Sequence, residues 1–197
     1  MDEIYPHVGC ELNYQKDYEL VIAVMLSAQT TDVAVNAVTK VLFTKYDTLE
    51  KLADAKLEDV EDIIHSIGLY KNKAKNVIGI AQTLIQQYGG ILPSDKDELQ
   101  KLPGVGNKSA GVIRAEVFKI PDLPVDTHIL RIAKRLKLAK EKDGPFETEM
   151  KLKKSFPESS WIKTHHQLIH FGRDICVARK PQCQRCKLAG ICSDFMI

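Results

Sequence analysis

The chain has 197 residues, 44% of them hydrophobic, and a formal net charge of +2, enough for one large or two small domains with a sizeable core. Its charge is unevenly spread: residues 1–100 hold 9 Lys/Arg against 16 Asp/Glu and residues 101–197 hold 19 against 10, so the second half is the one suited to a polyanion. No run approaches the ~18 apolar residues of a membrane span, and Met1-Asp2-Glu3-Ile4-Tyr5 lacks a charged-then-apolar leader pattern; a soluble intracellular protein, in which disulfides are not expected, follows.

Residues 1–16 are irregular, with Pro6 and Gly9. Residues 18–26 are strongly apolar, unbroken from Leu20 to Leu26, and read as a buried helix. Ser27-Ala28-Gln29-Thr30-Thr31-Asp32 interrupts that run, and a second helix follows with Asp32 as the expected N-cap. Short helices are predicted over 48–54 and 57–67, the latter from the stripe Leu57, Val60, Ile63, Ile64, Ile67. Another runs over 73–88 and stops at Gly89-Gly90, and Ser94 with Asp97 is expected to cap a short helix reaching Leu99. Asp126 or Thr127 starts a helix through Leu136, and the last long helices cover 146–156 and 161–172. No stretch alternates as a strand does, so the chain reads as all-α.

Leu102-Pro103-Gly104-Val105-Gly106-Asn107-Lys108-Ser109-Ala110 is a glycine turn entering a helix. Such a turn offers backbone N–H groups and the positive end of a helix dipole to an anion. Its spacing fits neither a Walker loop nor a dinucleotide fingerprint. It has the form of a helix-hairpin-helix, which grips a DNA phosphate without reading bases; an ordinary helix corner is the plain alternative. Ile67-Gly68-Leu69-Tyr70-Lys71-Asn72-Lys73-Ala74 is a weak echo of the same pattern.

Cys176, Cys183, Cys186 and Cys192 are spaced C-x6-C-x2-C-x5-C, four cysteines within 17 residues that have few core-forming neighbours. That spacing needs a metal or cluster to hold the loop. One close pair wrapped by two outlying cysteines suits an iron–sulfur cubane, with zinc the alternative. Arg179, Lys180, Arg185 and Lys187 stud the loop with cations able to hold backbone phosphates. Cys10 stands apart as an expected free thiol.

The hairpin motif, then Val125-Asp126-Thr127-His128, then the four cysteines, occur in one order that resembles the endonuclease III family of helix-hairpin-helix DNA glycosylases. Leu26-Ser27-Ala28-Gln29-Thr30-Thr31-Asp32, Ile67-Gly68-Leu69-Tyr70, and His165-His166 with Gly172-Arg173 extend the resemblance over nearly the whole chain. It implies a two-domain α fold: a six-helix domain over 10–120 carrying the hairpin, and a cluster domain built from 1–9 and 121–197, with DNA between them. The resemblance departs at the start, where only about a dozen residues precede Leu12-Asn13-Tyr14 and family members usually carry a further helix.

The resemblance further implies base-excision repair: removal of oxidised pyrimidines, then cleavage at the abasic site. Lys108 is the expected nucleophile, attacking C1′ to form a Schiff base, from a partly desolvated place at a helix N-terminus that favours its neutral form. Asp126 supplies a carboxylate to take the proton and stabilise the cationic sugar. Because a stacked nucleotide must be flipped out, Gln29 and Leu69 are expected to fill the gap, Gly104 and Gly106 to grip the strand, and His128, Arg179 and Lys180 to contact DNA. The four cysteines would hold a 4Fe-4S cluster. The expected partner is damaged double-stranded DNA, with no membrane, met by a monomer in the cytoplasm at the nucleoid. Relatives that act on mismatches without strong lyase activity generally lack a lysine at position 108, and a non-catalytic DNA-binding module is the third reading. His165, His166 and His170 are expected to be structural, and Trp161 to pack.

Overall fold

The apolar run forms helix α1 (Asp17–Leu26), and every residue from Glu19 to Leu26 is buried, as a helix apolar on all sides requires. Leu20, Ile22 and Leu26 are among the largest fully enclosed side chains, and burying each such chain is worth about 1.5–3 kcal/mol. The computed structural model describes residues 1–195; these contain ten α-helices, three 3-10 turns and no strand. No helix among the described residues is long and apolar enough to cross a membrane.

The chain divides into two units, one spanning Glu11–Lys119 and one made of Met1–Cys10 together with the chain from Ile120 onward. In the first, α1 is followed by α2 (Asp32–Lys45), α3 (Leu49–Ala53), α4 (Leu57–Ile64), α5 (Tyr70–Tyr88), α6 (Lys96–Gln100) and α7 (Asn107–Val117). These are seven helical segments where the resemblance implied six; α3 and α6 have only five residues each. Helix α5 packs against α1, α3 and α4, and α7 against α1 and α6.

Several boundaries differ from those predicted. Thr31, not Asp32, caps α2, its side chain accepting from the Ala34 N–H. Asp95, not Ser94, caps α6, accepting from the Asp97 and Glu98 N–H groups. Helix α4 ends before Ile67, although Ile67 is buried as its stripe foretold. Helix α5 starts three residues early, because Leu69 takes a left-handed conformation and serves as its N-cap.

In the second unit, α8 (Thr127–Arg135), α9 (Pro145–Ser155) and α10 (Trp161–Asp174) enclose a core that includes Leu123, Ile129, Ile132, Leu152, Leu168 and Phe171. The first residues of the chain close onto α10: Gln167 Nε2 donates to Asp2 Oδ1 at 2.8 Å and to the Tyr5 carbonyl at 3.0 Å, and Tyr5 donates its hydroxyl to Asp174 at 3.0 Å. Lys153 joins the buried carboxylates of Asp122 and Glu149 at 2.5 and 2.6 Å and lies over the Trp161 ring. His165 and His166 are buried, and His165 Nδ1 lies 2.9 Å from the Pro124 carbonyl; both are core histidines.

Candidate nucleic-acid interface and cysteine pocket

The hairpin turn lies between α6 and α7 and is seated on α5. Gly104 has φ +77°, and a Cβ there would meet Asn76 Nδ2 at 2.5 Å and Met25 Cγ at 2.9 Å. On the same face of α5, a Cβ added to Gly79 would meet the Pro103 ring at 3.1 Å. Gly106 is different: a Cβ there would meet nothing within 4 Å. It is the N-cap of α7, in extended conformation, and supplies no side chain to the first-turn N–H groups. These groups lack intrahelical partners, so an exposed, positively polarised end of α7 faces open space. Lys108, the second residue of α7, is exposed; the partial desolvation expected of it is not present in the free protein.

Gln29 and Leu69 both have left-handed backbones, φ +56° and +60°. Gln29 is exposed in the turn between α1 and α2, and Leu69 is 63% exposed, unusual for leucine. The weak sequence echo is thus a second turn leading into a helix, with a leucine in the αL position where the hairpin has glycine at its cap.

Asp126 is the N-cap of α8, one carboxylate oxygen accepting from the Ile129 N–H at 2.8 Å. Of the two candidates for that cap, the structure uses Asp126. His128 lies against α10, where a Cβ on Gly172 would come within 2.8 Å of its Cβ, and its Nδ1 lies 3.2 Å from Arg131 Nη2. Its ring is therefore held at the Nδ1 edge by both the close approach of Gly172 and a guanidinium.

The four clustered cysteines line a single pocket together with Leu136, Phe171, Ile175 and Leu188. None of them is in a disulfide, nor is Cys10. Among the described residues no three His, Cys, Asp or Glu converge closely enough to hold a single metal ion; the thiols surround a space rather than meet at a point. Two residues that the sequence did not single out order this loop. Arg131 donates to the Cys176 and Gly172 carbonyls at 2.9 Å, and Arg135 donates to Cys176 Sγ at 3.2 Å and to the Val177 carbonyl at 2.9 Å. The available signal was the pair of arginines four apart on α8, which places both on one face. Arg179 and Lys180 lie exposed on the loop, Lys180 with φ +54°.

Residues 22–158 match the HhH-GPD superfamily base excision DNA repair protein, and residues 176–192 match the iron-sulfur binding domain of endonuclease III. The endonuclease III of Bacillus subtilis (strain 168) is 46% identical over 98% of this chain and 88% of its own length; that of Escherichia coli (strain K12) is 41% identical over 95% and 88%. The chain belongs to the endonuclease III family.

Solved structures agree. A non-covalent endonuclease III–DNA complex superposes with a TM-score of 0.94 at 46% identity, covering 98% of this chain and 90% of that one. A trapped endonuclease III–DNA covalent intermediate gives the same values. A thermostable thymine-DNA glycosylase, 22% identical with a TM-score of 0.83, shares the fold. As a member of the endonuclease III family, the chain is a base-excision-repair enzyme, both DNA glycosylase and abasic-site lyase. Its cofactor is a 4Fe-4S cluster. The cysteine pocket suits that group: it offers four thiols, an apolar lining and no competing disulfide. Burial, reinforced by the other three sulfurs, pushes the Cys186 thiol up, so gathering four thiolates here needs a cationic centre to offset their repulsion.

Proposed function

We propose that this enzyme removes oxidised pyrimidines from duplex DNA through a Schiff base on Lys108, and then breaks the strand. The observation that carries the reading is the position of Lys108. Its amine is exposed in the first turn of α7, beside a glycine cap with open space in front of it. A DNA phosphate accepting from the first-turn N–H groups would bring the sugar to that amine and exclude water from it. The lysine nitrogen bonds to C1′ as the glycosidic bond breaks, and the base leaves with the electron pair. The C1′–O4′ bond then opens, O4′ leaving with its electron pair and taking a proton, to give an imine; the imine acidifies C2′, and loss of a proton there expels the phosphate from C3′. An endonuclease III similar to this chain has been trapped as a covalent intermediate with DNA, which favours an enzyme-bound step.

Asp126 is the carboxylate of this scheme. The cap uses one of its oxygens, leaving the second to accept the proton that the Lys108 ammonium loses before its amine attacks, and to stabilise positive charge on the sugar. Gln29 and Leu69 fill the space left by the extruded nucleotide. Gly104 and Gly106 shape the phosphate grip, while His128, through the ring edge not turned to Arg131, and Arg179 and Lys180 add contacts to the backbone. Cys176, Cys183, Cys186 and Cys192 hold the cluster, which fixes the cationic loop in shape. The enzyme works as a monomer on nucleoid DNA in the cytoplasm.

Borohydride added to the protein with a duplex carrying an abasic site tests the reading. A covalent adduct is expected from wild type and is lost in Lys108→Gln. If wild type binds the duplex yet yields no adduct, Lys108 is not the nucleophile.

A further inference from the structure

One buried cation of the Glu11–Lys119 unit has no part in the chemistry described so far. Lys73, in the first turn of α5, is 4% exposed. Its ammonium donates to the Ala28 carbonyl at 2.9 Å and to Thr30 Oγ1 at 2.8 Å. These two acceptors flank Gln29, whose left-handed backbone (φ +56°) is one that a residue with a side chain holds only where its surroundings impose it. Neither partner is a carboxylate, and burial pulls the Lys73 ammonium below its ordinary value. A buried ammonium matched by neutral oxygens is costly to keep; a position that needed only to be filled would be served by methionine.

Lys73 also donates its backbone N–H to the Leu69 carbonyl at 3.0 Å. One turn of α5 therefore presents the exposed Leu69 at its start and, from its next residue on that face, holds the loop bearing Gln29.

We infer that Lys73 is a positioning residue for nucleotide extrusion, fixing the Ala28-Gln29-Thr30 loop to the helical turn that presents Leu69 so that the two side chains enter the duplex as a pre-set pair. The inference rests on the roles proposed above for Gln29 and Leu69. Anchoring the loop in the free protein removes the ordering cost that a mobile loop would meet on insertion. The benefit is largest for a stacked, paired base and smaller for an abasic sugar, which costs less to extrude.

The test uses the cluster-loaded protein and two duplexes of one sequence, one with thymine glycol and one with a preformed abasic site. Lys73→Met is expected to slow single-turnover base removal by about ten- to a hundredfold, while its borohydride adduct with the abasic duplex falls far less. Lys73→Gln, which keeps a donor, recovers part of the rate, and Lys73→Met adds nothing once Gln29→Ala is present. Equal loss on both duplexes, no recovery by glutamine, or additive losses with Gln29→Ala would overturn the inference. Should Lys73→Met fail to fold, Thr30→Val against Thr30→Ser decides in the same way: the valine variant must lose base removal selectively and the serine variant must not. A wild-type protein giving no adduct overturns the proposed function itself; a wild-type adduct with unimpaired Lys73→Met overturns this inference alone.

Discussion

A methyl group on Gly104 would stand 2.5 Å from the side-chain amide nitrogen of Asn76, whereas one on Gly106, two residues later, would touch nothing. The two glycines of the hairpin are therefore needed for different reasons. Gly104→Ala also has to hold φ +77°, which costs about 1–2 kcal/mol by itself, so a lowered melting temperature is expected. Gly106→Ala has an extended backbone open to any residue and should lose no more than about 1 kcal/mol, as a poorer cap. Its DNA affinity should nevertheless fall, because the methyl occupies the space where a phosphate would approach. Thermal melts and a binding titration with an abasic duplex check both; a Gly106→Ala protein that binds like wild type removes this glycine from the interface.

Asp126 serves as a cap and, in the proposed scheme, as a catalytic carboxylate, and two substitutions separate the roles. Asparagine caps a helix as well as aspartate does, so Asp126→Asn should melt near wild type while base removal falls by about a hundredfold or more. Asp126→Ala should show the same catalytic loss and in addition cost about 1 kcal/mol of stability. Single-turnover rates set beside melting curves give the comparison, and an active Asp126→Asn enzyme would rule out the charged carboxylate.

Arg135 ties α8 to the first cysteine of the pocket through Cys176 Sγ and the Val177 carbonyl. Truncating it to alanine leaves these acceptors without a charged donor, at a cost of about 1.5–3 kcal/mol. The loop then holds its cluster less firmly. Purified Arg135→Ala should lose its visible absorbance in air faster than wild type, and removal of iron by a chelator should be correspondingly quicker, with Arg135→Lys a poor substitute because one ammonium cannot reach both acceptors.

Asp143, nearly enclosed before α9, accepts hydrogen bonds from the Lys151 ammonium and from the Lys140 N–H. The Lys151 bond first, then the backbone bond, holds its carboxyl below the usual value of 3.8 despite its burial. A carboxylate whose folded pKa is depressed contributes stability that is complete above the unfolded pKa and fades as pH falls through the folded one. Wild type should therefore lose melting temperature below about pH 4 more steeply than Asp143→Asn, and parallel slopes for the two proteins would contradict this.

The sequence made the hairpin, the Asp126 cap, the helical class and the cysteine set legible, because each is a local pattern whose chemistry depends on spacing along the chain. Where local signals competed, tertiary structure chose between them. Thr31 outbid Asp32 and Asp95 outbid Ser94, each by meeting the backbone N–H groups that needed a partner. The early start of α5 was hidden because leucine is a poor prospect for a left-handed cap. Lys73 could not be found at all, and Arg135 only as one of two arginines four apart: their partners lie 43 to 45 and 41 to 42 residues away, and no periodicity records such a meeting. Lys108 was legible as a residue but not in its setting, since it is exposed.

The contacts of Asp2 and Tyr5 with Gln167 and Asp174 span more than 160 residues of chain. During synthesis the whole Glu11–Lys119 unit emerges, and can fold, before any of the residues that complete the other unit. The opening residues gain their ties to Gln167 and Asp174 only once α10 is made. The cysteine loop follows α10, so its thiols are gathered only once Arg131 and Arg135 of α8 have been made to hold it. Removing the Tyr5 hydroxyl, which holds Asp174 two residues ahead of Cys176, is then expected to lower the iron content of the purified protein.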